Sequence, residues 1–148
     1  MFPKIALGKG QTLFIDENGS LWGMGNNGKG RLGHRQDPYF ESPTKIKEGN
    51  VTGVSSYHDQ TLYLTSAGQL WVMGSDRLQG INSEDSPVLL LDGGVVSIAT
   101  GYDHSAFVKT DGSLWVWGNG QDGELGNGST GNVNAITQVL GSGVSAVA

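Results

Sequence analysis

The sequence predicts an all-β fold, a partial β-propeller of about three four-stranded antiparallel blades. A Gly-x-Leu-Trp signature occurs three times, at residues 19–22, 68–71 and 112–115. The three copies align without a gap over roughly 30 positions each, which indicates one repeated structural unit. No segment of about ten or more residues shows the apolar period of an amphipathic helix.

Each repeat contains four short apolar segments separated by Gly-rich turns. Four strands in about 45 residues, with Gly and Trp at fixed offsets, are typical of a propeller blade. The aligned apolar columns are Ile5, Val54 and Ile98; Phe14, Tyr63 and Phe107; and Leu32, Ile81 and Leu125. The tryptophans are expected to fill the space between blades, and they are Trp22, Trp71, Trp115 and Trp117.

The predicted elements follow the same order in every copy. The first repeat has predicted strands at 5–8, 11–16, 20–25 and 43–46. The second has an inner strand that begins near Val54, followed by strands at 60–65, 69–74 and 87–91. The third runs from 98 to 128 and has an outer strand at 136–139. Asn18-Gly19 and Asp111-Gly112 are hairpin turns, because both dipeptides tolerate positive φ. Pro43 places the outer strand at a sheet edge, where its missing N–H is harmless.

One repeat domain is expected over residues 1–148, with blades at about 4–50, 51–94 and 95–143. Residues 144–148 (VSAVA) match residues 96–100, and we interpret them as the start strand of a further unit. Three blades are fewer than the roughly four to eight of a closed propeller. The end blades are therefore expected to expose apolar faces, which oligomerisation or a partner would cover.

Composition narrows the functional classes. The absence of Cys rules out disulfides, a thiol nucleophile and Cys-ligated metals. The net charge of −5 argues against a general nucleic-acid binder. No apolar run reaches the roughly 20 residues of a membrane helix, and no signal peptide is apparent. These features predict no membrane association and a location in a bacterial or host-cell cytosol, or in a virion.

Charge is unevenly distributed along the chain. Residues 1–50 hold seven basic and five acidic residues, a net charge of +2, whereas residues 51–148 hold two basic and nine acidic residues, a net charge of −7. Two explanations of this asymmetry are open. Charge can vary without functional consequence among solvated surface positions, or a basic first repeat docks on the acidic end of another copy.

The third repeat contains G-x-x-H-S, then T-D-G-S-L-W-V-W-G-N, then G-E-L-G. This pattern resembles the regulator of chromosome condensation repeat of seven-bladed propellers, and it is most similar to bacterial and bacteriophage members. The resemblance covers nearly the whole chain, about three-sevenths of such a ring. Gln11 and Gln60 replace His104 in the other copies, and Tyr57 replaces the corner glycine of the second.

The resemblance implies several functions: guanine-nucleotide exchange on chromatin, inhibition of secreted β-lactamases, and protein interaction. Exchange activity belongs to particular loops of a full ring, and no motif here matches them, so no exchange residue is assigned. The resemblance implies that His104 forms a hydrogen bond in blade packing.

Candidate partner-binding residues lie in the loops. Tyr39 and Phe40, beside Arg35, combine the side chains that interface hot spots favour, unless they fold back over the first blade. Tyr57, His58 and Tyr102 follow the inner strands, at a corner where propellers often bind partners. Candidate self-association residues lie at the two ends, and they are Ile5, Leu7, Val144 and Val147.

The sequence predicts neither a catalytic site nor a cofactor. Asp103, His104 and Ser105 are consecutive, an arrangement that does not by itself produce triad geometry. Asp122 and Glu124 supply too few oxygen ligands for a calcium loop, so no metal site is expected. Residues 28–33 lack the strand-to-helix context of a dinucleotide-binding loop.

The predicted function is therefore a non-catalytic interaction or assembly module that self-associates into a closed propeller-like ring. Two copies of three blades would make a six-bladed dimer. Two alternatives remain open. One is a small component of a phage virion or secretion machine whose faces another protein caps. The other is a propeller-type inhibitor or ligand-binding protein that acts through its loops.

Overall fold

The computed structural model describes residues 4–75 and 77–148, and these residues form three four-stranded antiparallel sheets. The first sheet, blade 1, contains β1 (Ile5–Leu7), β2 (Gln11–Ile15), β3 (Leu21–Asn26) and β4 (Tyr39–Lys47), with a short 3-10 helix at Gly28–Gly30. Blade 2 contains β5 (Val51–Tyr57), β6 (Gln60–Thr65), β7 (Leu70–Gly74) and β8 (Val88–Leu91). Blade 3 contains β9 (Val95–Thr100), β10 (His104–Lys109), β11 (Leu114–Gly118) and β12 (Val133–Leu140).

Strands neighbour one another in chain order within every sheet, so each repeat folds as an antiparallel meander. This arrangement confirms the predicted all-β architecture of three blades. The registers are equivalent across blades: Phe14 faces Trp22, Tyr63 faces Trp71, and Phe107 faces Trp115. No helix within the described residues is long and apolar enough to cross a membrane.

Two of the three outer strands are longer than predicted, whereas β8 starts one residue later than predicted. β4 begins at Tyr39, and β12 extends from Val133 to Leu140. In blade 1 the β3–β4 register shifts between Gly23 and Gly25, and this bulge lets Tyr39 and Phe40 continue the pairing. The outer strand of blade 1 therefore begins four residues before the predicted start at Pro43.

Two apolar cores lie between the blades. We call the side of a blade that faces the preceding blade its N-side face, and the opposite side its C-side face. The first core joins the C-side face of blade 1 to the N-side face of blade 2 through Leu13, Leu21, Leu32, Val54, Tyr63 and Met73. The second core joins blades 2 and 3 through Leu62, Leu70, Val72, Phe107 and Trp117.

Glycine stands at or next to the end of the third strand of each blade, because the chain there is both left-handed and tightly packed. Gly74 has a φ of 88°, and a Cβ at this position would collide with the carbonyl oxygen of Asp59. Gly118 has a φ of 111° and meets the carbonyl oxygen of Asp103 in the same way. No residue with a Cβ fits either position without moving the backbone.

Candidate interaction surfaces

Polar contacts cross the two internal junctions next to the apolar cores. Gln11 Nε2 donates to Ser56 Oγ at 3.1 Å and to the His58 carbonyl oxygen at 3.0 Å, which links blade 1 to blade 2. At the next junction Ser105 Oγ donates to Gln60 Oε1. Gln11 and Gln60 occupy equivalent positions in the repeat, and each therefore joins its own blade to the following one.

Arg31 is the most connected residue of the first junction. Its side chain is 6% exposed. Its guanidinium donates to the carbonyl oxygens of Gly28 at 2.8 Å, Lys9 at 3.1 Å and His58 at 2.8 Å, and it pairs with the Asp59 carboxylate. Sequence reasoning missed this role, because residues 28–33 were considered only as a loop and backbone carbonyl acceptors leave no signal in the sequence.

The N-side face of blade 1 is open. Ile5 is 63% exposed, whereas its equivalent in blade 2, Val54, is 2% exposed. Met24 is half-buried, whereas its equivalents Met73 and Trp117 are fully buried. Side chains that are covered at the internal junctions thus face solvent on blade 1, and the predicted self-association residues Ile5 and Leu7 are both exposed there.

The C-side face of blade 3 is open as well. It forms a cavity of about 450 Å³ lined by Ala106, Leu114, Val116, Leu125, Leu140 and His104. Leu140 is 53% exposed, although its equivalent in blade 2, Leu91, packs against the second core. The His104 ring lies over Gly101, in the column that Gln11 and Gln60 use to reach the following blade.

Residues 144–148 lie beside β9. The Val144 N–H donates to the Gly112 carbonyl oxygen at 3.0 Å, as Val51 does to Gly19 at 2.9 Å and Val95 to Gly68 at 3.1 Å. Val144 therefore corresponds to Val95 and not to Val96, a one-residue correction of the sequence alignment. Val147 is held by Ser97, whose Oγ accepts from the Val147 N–H at 3.1 Å. The segment occupies the inner-strand position of a further blade.

Three of the predicted partner-binding residues are brought together at one rim of the molecule. The rings of Tyr57 and Tyr102 lie 6.1 Å apart, and those of His58 and Tyr102 lie 4.3 Å apart, measured between centroids. Both tyrosines are exposed. Tyr57 stands where the other blades have a corner glycine, so it adds aromatic surface to this rim.

The other predicted group does not form one exposed patch. Tyr39 is exposed, but Phe40 is 8% exposed and belongs to the first core, where its ring lies 5.7 Å from that of His34. The expectation that both aromatics are exposed is thus wrong for Phe40, because the β3–β4 bulge turns its side chain inward. Arg35 is exposed and pairs with Glu84 and Asp85 of blade 2, at 3.0 and 2.6 Å.

The titratable side chains of the described residues give little indication of a catalytic or metal-binding site. Burial raises the pKa of Tyr63 to about 12, which keeps its phenol neutral within the first junction. Among the described residues, no group of three or more His, Asp or Glu side chains is placed to hold a metal ion. The well-formed features of this molecule are apolar faces with polar rims, the arrangement of a protein-binding surface.

The fold and its open faces define a segment of a β-propeller that is built from repeated blades. Residues 95–124 and 111–146 each match the regulator of chromosome condensation (RCC1) repeat. Blade 3 therefore belongs to the RCC1 repeat family, and blades 1 and 2 repeat its strand register. The chain is 33% identical over 70 residues to Protein RCC2 homolog of Danio rerio, across 45% of this chain and 14% of that protein.

Solved structures show the same architecture over nearly the whole chain. Human WBSCR16 is 28% identical, with a TM-score of 0.78 over 93% of this chain and 40% of its own. Prp20p of Saccharomyces cerevisiae is 20% identical, with a TM-score of 0.77 over 91% of this chain and 37% of its own, and it shows the likeness of fold alone. The chain therefore spans less than half the length of these proteins.

Proposed function

We propose that this chain is a non-catalytic assembly module that self-associates head to tail, with the N-side face of blade 1 in one copy docking on the C-side face of blade 3 in another. The RCC1-like propeller fold is that of a protein-interaction module, and Prp20p itself binds Gsp1p and histones. The observation that carries the proposal is the exposure of Ile5 on blade 1 and of Leu140 on blade 3, because their equivalents Val54 and Leu91 pack at the internal junctions.

The internal junctions provide the template for docking. Tyr63, Trp71 and Met73 cover the C-side face of blade 1, and blade 1 presents Phe14, Trp22 and Met24 in the same columns. Burial of such side chains contributes about 1.5–3 kcal/mol each. A second copy therefore offers the C-side face of blade 3 a surface of the required shape and polarity.

The segment 144–148 marks where β1 of the docked copy lies. Val147 stands in the column of Ile5, Val54 and Ile98, so β1 and this segment occupy one position. In the proposed assembly β1 takes that place, because it arrives already paired with β2 and carries a whole sheet. The segment is released, and its amide hydrogens should exchange faster in the assembly than in the monomer.

The mass in solution tests the proposal. Sedimentation over a range of micromolar concentrations should show species of at least two copies of the 15.5 kDa chain. Met24→Asp and Leu140→Asp each place a carboxylate in the docking surface, so each should weaken association by about 100-fold or more. Leu89→Asp replaces an exposed leucine of the internal blade and should leave association unchanged. A wild-type chain that stays monomeric and folded would rule the proposal out.

A second surface is favoured by a separate observation. The aromatic cluster of Tyr57, His58 and Tyr102 is exposed at a rim that head-to-tail docking leaves accessible. We propose that it contacts a protein partner of the assembled module. Tyr102→Ala should weaken that contact by about 2 kcal/mol without loss of folding, whereas an unchanged affinity would exclude the cluster.

A further inference from the structure

We propose that Glu124 of one copy and Lys9 of the next form the ion pair that specifies the docking of blade 3 on blade 1. This inference rests on the proposed head-to-tail assembly and identifies its partner as a second copy of this chain. The pair has the opposite polarity to the ion pairs at the two internal junctions.

Both internal junctions carry an ion pair at the same rim. At the first, Arg31 of blade 1 pairs with Asp59 of blade 2. At the second, Arg77 of blade 2 pairs with Asp103 of blade 3, with Nη2 and Oδ1 2.8 Å apart. In each case the cation belongs to the loop that follows the third strand, and the carboxylate precedes the second strand of the following blade.

At the open ends the charges are reversed, at the Arg31 position on blade 3 and one residue before the Asp59 position on blade 1. GRLG of blade 1 aligns with GELG of blade 3, and the alignment is fixed structurally because Leu32 and Leu125 are both buried, at 1% and 2% exposure. Glu124 therefore takes the place of Arg31. Its carboxylate is already oriented, since Oε2 accepts from the Asp122 N–H at 2.8 Å, and it borders the open cavity of blade 3.

Lys9 supplies the complementary charge. It aligns with His58 and precedes Gly10, which aligns with Asp59. At the first junction the His58 carbonyl and the Asp59 carboxylate both contact Arg31, and this places the backbone of a docked Lys9 beside Glu124. The Lys9 side chain is exposed, and its carbonyl oxygen is used by Arg31 of its own blade.

Complementary charge favours this docking. A docked blade 1 brings Lys9 against Glu124 of blade 3, with Asp122 nearby, and opposite charges across an interface favour the encounter. The net charges of +2 for residues 1–50 and −7 for residues 51–148 favour the same orientation.

A charge-reversal cycle tests this pair within a single junction. The Met24→Asp chain retains only its blade 3 docking face, and the Leu140→Asp chain retains only its blade 1 face, so their mixture forms one junction. Glu124→Lys is added to the first chain and Lys9→Glu to the second, separately and together, and each dissociation constant is measured by titration calorimetry. Glu17→Lys in the first chain is the control, because it changes net charge equally two blades away from the junction.

Each single reversal should raise the dissociation constant about tenfold, and the double reversal should return it to within about threefold of the parent pair. The effect should shrink at about 1 M salt, where the screening length falls to about 3 Å. If the parent chains associate but the two reversals act independently, the Glu124–Lys9 pair is refuted while the assembly stands. If the parent chains do not associate at all, the assembly itself is refuted.

Discussion

Phe14 and Trp22 lie parallel, with ring centroids 6.3 Å apart and 2° between their planes. Tyr63 with Trp71, and Phe107 with Trp115, form the same stack at 5.9 and 6.2 Å. The last two stacks pack against a preceding blade, whereas the stack on blade 1 faces solvent. The open face is thus already arranged as the covered faces are, which lowers the ordering cost of docking.

The indole nitrogens of these stacks should contribute unequally to stability. Trp115 Nε1 donates to Ser113 Oγ at 2.8 Å, but Trp71 Nε1 is buried and has no hydrogen-bond partner among the described residues. Trp115→Phe should therefore cost about 1 kcal/mol more than Trp71→Phe. Urea unfolding of both variants measures the difference, and equal costs would show that the Trp71 indole is in fact satisfied.

Arg31 should be essential to the first junction. Arg31→Ala leaves the half-buried Asp59 carboxylate and three carbonyl oxygens without their donor, so it should destabilise the chain by about 3 kcal/mol. Arg31→Lys should not restore stability, because an ammonium group cannot reach the same set of acceptors.

Arg77 is the matched control for Arg31. Its side chain is 48% exposed and pairs with Asp103. Arg77→Ala should cost less than about 1 kcal/mol, as expected for an exposed ion pair. Urea unfolding compares the two alanine variants directly. Equal losses would mean that the buried network around Arg31 adds nothing to its ion pair.

Asp16 should make the hairpin of blade 1 sensitive to acid. Hydrogen bonds from the Ser20 N–H and from Trp22 Nε1 hold the pKa of Asp16 below its ordinary value of 3.8. A depressed folded-state pKa stabilises the fold above the unfolded pKa, and this contribution is lost as the pH falls through the folded value.

Asp16→Ala should therefore lower Tm at pH 7, and the difference from wild type should shrink as the pH falls below 3.8 and disappear below the folded-state pKa. Glu17→Ala, at the neighbouring exposed position, should leave Tm unchanged at both pH values. Thermal unfolding followed by circular dichroism gives both comparisons. A difference that persists in acid would attribute the effect of Asp16 to packing instead of charge.

The repeat made the fold predictable from the sequence. Three aligned copies predict the order of strands, the hairpin turns and the columns that face each other within the strands, since each of these follows from local pattern. The column of Leu32, Ile81 and Leu125 is wrong for blade 2, because Leu78 is buried in the second core and Ile81 is 36% exposed. The outer strands were misjudged, because a β-bulge depends on cross-strand register and leaves no signal in a single segment. Phe40 was misplaced for the same reason.

The interaction surfaces were only partly predictable. The aromatic identity of Tyr57 and Tyr102 indicated an exposed rim, and the apolar ends indicated open faces. The Arg31 network could not be inferred, because its acceptors are carbonyl oxygens distant in sequence and carbonyls are identical in every residue. The one-residue offset of Val144 likewise depends on a backbone hydrogen bond and not on side-chain similarity.

Native mass spectrometry of an equimolar mixture of the Met24→Asp and Leu140→Asp chains tests head-to-tail assembly most directly. A heterologous junction uses different faces of its two copies, so each variant alone should be monomeric. The mixture should form a dimer with one copy of each variant and no larger species, because only one intact junction can be made. A mixture that stays monomeric, or a variant that dimerises with itself, would contradict the assembly.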